Sequence, residues 1–268
     1  MKFKYIIILL TAVLLLGFSQ TASAKTAEQR GLEIGKSIDS MDTGWVNQVS
    51  DVEMILKNQY GQSSTREMKI KSLEDTNKSD SLGDKSLTIF RTPKDVKGTS
   101  FLSFSHAVGA DKQWLYMPAL HRVKQIASDN KSGPFMGSEF AFEDISSQEV
   151  GKYTYKFIKE ETVLGVPGFV IERYPVDKNS GYTKQVVWVD SKEYRISKID
   201  FYDRKGAHLK TLTYSGYKAY AGNTWRPNKM SMVNHLTGKS TDLLWKSYTF
   251  KTAINERDFD KNALKRVK

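Results

Sequence analysis

Side chains that commonly do covalent or metal chemistry are few in this sequence and poorly spaced for it. The four histidines, His106, His121, His208 and His235, lie far apart, and no two stand at metal-ligand spacing. No H-E-x-x-H, G-x-S-x-G, phosphate-loop or G-x-G-x-x-G run occurs. Cysteine is absent, which removes thiolate nucleophiles, thiolate metal sites and disulfides. Glu139, Glu143 and Asp144 lie close together, and paired carboxylates can share acid–base work. The same spacing serves a short helix cap or an ion pair with a nearby Lys or Arg. No catalytic residue, metal site or cofactor follows from these residues, and no enzyme is expected.

What remains is non-covalent chemistry. Residues 128–147 lose regular periodicity, and S-G-P-F-M-G-S-E-F-A-F-E-D-I sets Phe135, Met136, Phe140 and Phe142 among Gly133, Pro134 and Gly137. A Gly/Pro-rich connection is ordinarily polar. Apolar side chains there either plug the core beneath a loop or form a mobile lid over an apolar cavity.

The surrounding text must supply the scaffold. From Thr26 to Met41, Leu32, Ile34, Ile38 and Met41 recur at mostly helical spacing, weakened by two glycines. After Gly44 the pattern becomes that of strands: 52–56, 66–73, 87–91, 99–105 and 113–117 before the irregular segment, with 123–127 open to continuing the series after Pro118. Beyond it come 153–160, 168–175, 183–190, 195–202, 207–217, 225–234 and 240–249, with a short helix expected at 260–267. Turn text such as D-K-N-S-G and D-R-K-G separates most of them, and such short connections permit antiparallel neighbours only. The expected fold is mainly β, with a helix near the start and about ten to twelve antiparallel strands, a sheet large enough that it must curl, split or close.

The N-terminus bounds the compartment. Lys2 and Lys4 precede an apolar run from Tyr5 to Phe18, and Ala22-Ser23-Ala24 gives the small-x-small signature of a cleavable export signal. Residues 1–24 are expected to leave, with a single domain over 25–268 exported to the periplasm of a Gram-negative-type cell. The absence of cysteine also excludes attachment of lipid to the mature N-terminus. The net charge of +11 would suggest nucleic acid in a cytoplasmic protein. In an exported one it fits solubility, anionic lipid headgroups or an acidic partner instead.

The run Q-W-L-Y-M-P-A-L-H-R-V-K-Q-I (113–126), with G-P-F-M-G-S-E-F (133–140) and E-D-I (143–145), resembles the signatures of LolA-like outer-membrane lipoprotein-sorting proteins. The stretches F-R-T-P-K-D-V-K-G-T (90–99), W-V-D (188–190) and I-D-F-Y-D (199–203) are similar in spacing. The resemblance implies a half-barrel, one strongly curved antiparallel sheet around an apolar cavity with helices and loops as a lid. It also implies a carrier of lipid or lipoprotein acyl chains that delivers them toward the outer membrane. Relatives of this subgroup suggest an alternative, an adaptor for an inner-membrane permease of the resistance-nodulation-division (RND) type, and an outer-membrane acceptor is a further possible partner. Trp114 and Tyr116 share one face of their strand and Leu115 the other. Trp114, Tyr116, Phe135, Met136, Phe140 and Phe142 are the residues expected to line or cover the cavity. Arg122 and Lys124 are expected to meet a headgroup or partner if they are not simply solvated.

Overall fold

The computed structural model describes residues 24–76, 82–220, 222 and 224–266. The expected export signal, Ala24 apart, and the centre of the polar loop before Leu82 lie outside these residues.

Helix α1 spans Ala27–Met41 and begins at a capping box: the Gln29 amide donates to Thr26 Oγ1 at 3.2 Å, and the Thr26 amide donates to Gln29 Oε1 at 2.9 Å. Six strands follow: β1 (Asn47–Lys57), β2 (Ser63–Leu73), β3 (Leu82–Thr92), β4 (Ser100–His106), β5 (Lys112–Met117) and β6 (Arg122–Ile126). Residues 127–152 contain only single 3₁₀ turns. The chain resumes with β7 (Tyr153–Val163), β8 (Val166–Pro175), β9 (Tyr182–Asp190), β10 (Ile196–Asp203) and β11 (His208–Ser215). A small hairpin, β12 (Lys218–Tyr220) and β13 (Thr224–Arg226), precedes β14 (Lys229–Asn234) and β15 (Ser240–Phe250).

Thirteen strands form one sheet in the order β6-β5-β4-β3-β2-β1-β15-β14-β11-β10-β9-β8-β7. It has two arms. The first six strands step outward one after another; the chain then passes to the opposite edge and steps back until β15 pairs antiparallel with β1, Met54 opposite Leu243. The sheet is not closed into a barrel, and β6 and β7 are its edges.

Three expectations need correction. The sheet has thirteen strands, not about ten to twelve, plus a separate two-stranded ladder. The expected 225–234 strand is broken at Pro227, which has no amide to give the ladder, so β13 and β14 belong to different pairings. The expected C-terminal helix is reduced to 3₁₀ turns at Glu256–Asp258 and Leu264–Arg266. So short a segment gains too little from helix propagation, and Phe259 and Leu264 pack onto the sheet instead.

Gly31 and Gly35 weaken α1 as a helix but decide where it sits. A Cβ on Gly31 would lie 2.8 Å from the Lys156 backbone, and one on Gly35 2.6 Å from the Tyr155 ring. The helix backbone therefore rests directly on β7, where any larger residue would force it off.

Alternation on the strands builds two apolar clusters. The larger holds Ile34, Met54, Phe90, Phe101, Leu115, Phe135, Phe140, Ile171, Val187 and Met232. The smaller holds Leu87, Ile89, Leu102, Trp114, Tyr116, Phe259 and Leu264. Neighbours along β3, β4 and β5 fall in opposite clusters, so this part of the sheet is covered on both faces.

Candidate functional site

The irregular segment lies against the face of the larger cluster, pinned by polar contacts drawn from many strands. Phe135 and Phe140 are each 1% exposed, and the Phe135 ring sits 5.1 Å from Phe101 and 5.6 Å from Phe142, edge-on to both. Arg66 of β2 donates to the Met136 carbonyl. Gln113 of β5 donates to the Phe142 carbonyl at 3.0 Å, and the Glu139 amide donates to Thr241 Oγ1 of β15 at 3.0 Å. Lys210 of β11 donates to the Glu139 carbonyl at 3.0 Å and to Asp144 at 2.7 Å, and the Tyr182 hydroxyl of β9 also donates to Asp144. The Lys210 and Asp144 side chains are each 4% exposed. We call this buried, pinned segment the plug.

The three neighbouring carboxylates are these pins. Asn234 donates to Glu139, and the Ser180 hydroxyl and Gly181 amide donate to Glu143. Burial raises the Glu143 pKa, the Asp144 charge adds to the rise, and the Gly181 and Ser180 donors oppose it. With Asp144 saturated by Lys210, Tyr182 and the Ala141 amide, the group is structural.

The six apolar residues expected to share one cavity fall into two groups. Phe135, Phe140, Met136 and Phe142 join the larger cluster. Trp114 and Tyr116 join the smaller, beneath Phe259 and Leu264, while Leu115 between them faces Phe135's side. The C-terminal segment covers the face on which Trp114 and Tyr116 stand, a surface that the sequence left bare. Arg122 and Lys124 are exposed on edge strand β6 and line none of the clefts described below.

Two adjoining clefts, of about 400 and 530 Å³, lie between α1, the plug and the sheet. They share Ile38, Ile196, Tyr214 and Met230 as walls. The first adds Met41, Ile70, Phe140, Ile145 and Leu243, and is bordered by Trp45, Trp225, Trp245 and Tyr248 with Arg195 and Arg226. The second adds Ile199, Phe201, Leu212 and Arg173. Of the expected site residues only Phe140 lines either cleft. The missed ones carried a signal: Ile199 and Phe201, and Leu212 and Tyr214, stand two apart on their strands, but nothing local says which face turns inward.

Charged groups on the walls are mostly matched. Arg226 pairs with Asp42, whose pKa burial raises against that pairing, and Arg195 donates to Asp190 at 2.8 Å while lying over the Trp225 ring. Burial pushes the Asp84 carboxyl up to about 7; the Asp75 amide and Ser147 hydroxyl donate to it and hold it down, while the Glu149 charge drives it further up. Among the described residues no group of three or more His, Asp or Glu is placed to hold a metal, and no helix is long and apolar enough to cross a membrane.

A family model described as that of an uncharacterized protein matches residues 83–266. None of the curated proteins matches the sequence. Among solved structures, a domain from Vibrio parahaemolyticus, provisionally described as an outer membrane lipoprotein-sorting protein, is 56% identical; the match covers 89% of this chain and 100% of that one at a TM-score of 0.85. The chain belongs to the LolA-like outer-membrane lipoprotein-sorting family. A DUF1329 family protein from Desulfovibrio piger, 28% identical, matches this LolA-like chain over 90% of its length and 100% of its own, TM-score 0.83. A LolA superfamily protein from Nitrosomonas europaea, 20% identical, shares the fold at a TM-score of 0.68 over 89% of this chain and 99% of its own. The two runs that carried the sequence resemblance fall on β5, β6 and the plug.

Proposed function

We propose that this LolA-like protein is a periplasmic carrier that shelters the acyl chains of a lipid or lipoprotein between α1 and the inner face of a curled sheet, and moves them toward the outer membrane. The observation that carries the reading is the pair of joined clefts walled by Ile38, Ile196, Met230 and Leu243, in a chain 56% identical to a lipoprotein-sorting domain.

Strand spacing supports the curl. From β5 to β9 the sheet takes nine steps. At about 4.8 Å each they would span roughly 43 Å if the sheet lay flat. Yet Gln113 on β5 bonds to Phe142, and Tyr182 on β9 bonds to Asp144, only two residues further on. Two side chains and three residues reach at most about 30 Å. These contacts support a sheet bent around the plug, with room beside it for a ligand.

The energetics suit acyl chains. Each methylene removed from water contributes about 0.8 kcal/mol, so ten contribute roughly 8 kcal/mol before association costs. Methionines such as Met41 and Met230 adapt to chains of different length. A fluorescent acyl probe added to detergent-free protein tests the reading. Wild type should bind it, and Met230→Trp, which fills the shared wall, should weaken binding about tenfold with little loss of melting temperature. Equal binding by a folded Met230→Trp variant would place the chain elsewhere.

A further inference from the structure

One cation on the inner wall stands apart from the others. Arg173 on β8 is 6% exposed. Its Nε donates to Gln185 Oε1 at 2.6 Å, and its guanidinium lies over the Tyr153 ring at 4.6 Å. It forms no salt bridge among the described residues, and its two terminal nitrogens make no hydrogen bond there. Burying a cation without a counterion is costly, and such positions ordinarily carry a paired acid or a hydrocarbon.

The acids on the same walls have other work. Asp144 is held by Lys210, Asp42 by Arg226, and Glu74 accepts from the Gly44 and Val46 amides. Glu149 accepts from Ser105, and Asp84 from Ser147 and the Asp75 amide. Arg173 lines the second cleft, and its terminal nitrogens are not among the buried side-chain atoms left without a partner, which are Ser50 Oγ and His106 Nδ1 among the described residues.

A second donor faces the same space. Tyr214 lines both clefts, and its hydroxyl makes no hydrogen bond among the described residues. The Arg173 charge is felt at Tyr214, where it works against the effect of burial.

We propose that Arg173 and Tyr214 bind the anionic group of the ligand, a carboxylate or phosphate, while its chain lies along Ile38, Ile199, Leu212 and Met230. The fork geometry fits. With Nε committed to Gln185, the two terminal nitrogens remain side by side for end-on pairing with two anionic oxygens. This rests on the carrier reading and narrows it: the cargo is an acidic lipid, not a neutral acylated peptide end.

Titration calorimetry of the full purified chain with palmitate, hexadecan-1-ol and inorganic phosphate tests it. Palmitate should bind about tenfold more tightly than hexadecan-1-ol, the difference expected of one charge-assisted pairing. Arg173→Met should bring palmitate down to the level of the alcohol and leave the alcohol unchanged, Arg173→Lys should restore part of the preference, and phosphate alone should bind more weakly than either. Equal binding of palmitate and the alcohol by wild type would overturn the inference and leave the carrier reading standing. Failure of both to bind would remove both. Phosphate binding as tight as palmitate and lost in Arg173→Met would make this a free-anion site and overturn the acidic-lipid assignment. Should Arg173→Met fail to fold, the wild-type preference and its reduction in Tyr214→Phe decide.

Discussion

Asp84 is one of several carboxylates whose surroundings shape the pH response of the molecule. In the unfolded chain it titrates near the ordinary aspartate value of about 3.9, and in the folded protein it is pushed up to about 7. Between those values the folded state holds a proton that the unfolded state has lost, so stability falls as pH rises through that window. Burial raises Asp42 and Glu143 in the same direction. Asp177, Asp190 and Asp242 are instead lowered, so they act at more acid pH. The melting temperature should therefore be lower at about pH 8 than at about pH 5, and Asp84→Asn should narrow the gap by raising the value at pH 8. An unchanged gap in that variant would remove Asp84 from the account. At this scale the sequence is a poor guide. Glu139, Glu143 and Asp144 could be catalytic or structural on spacing alone, because Lys210 and Tyr182, which decide the matter for Asp144, lie 66 and 38 residues away.

At the scale of elements, local text was informative and coverage was not. The helix boundary, most strands and the alternation of Trp114, Leu115 and Tyr116 could be read directly, since a capping box and a period of two are local properties. Which face of β5 turns toward the plug depends on a C-terminal segment about 140 residues later, whose Phe259 and Leu264 claim the other side. Likewise the glycines of α1 read as a weakness until β7 is seen beneath them. Since Trp114 and Phe259 pack away from the clefts, Trp114→Ala and Phe259→Ala should each cost about 3–5 kcal/mol in denaturant unfolding and leave acyl-probe binding intact. Loss of binding by a variant that remains folded would return Trp114 to the ligand site. The burial of Phe135 and Phe140 has a related consequence: aspartate at either position would place an unpaired charge in the core and unfold the chain, so such variants do not report on binding.

The whole molecule is set by one long-range choice, the crossing of residues 127–152 from edge strand β6 to edge strand β7. Hairpin turns fix which strands neighbour each other within an arm, but they do not specify that β15 returns to β1 or that the crossing segment packs into the larger apolar cluster. A chain without cysteine makes the proposed curl open to measurement. Spin labels on Lys112→Cys and Thr183→Cys, exposed neighbours of Gln113 and Tyr182, should lie within about 35 Å, against about 43 Å or more for a flat sheet. The carrier claim itself is tested most directly by native mass spectrometry of protein prepared from the periplasm without detergent, followed by extraction and identification of any bound lipid. The expected result is a defined acylated molecule at close to one per chain. Protein that emerges empty and also takes up no added lipid would contradict the claim.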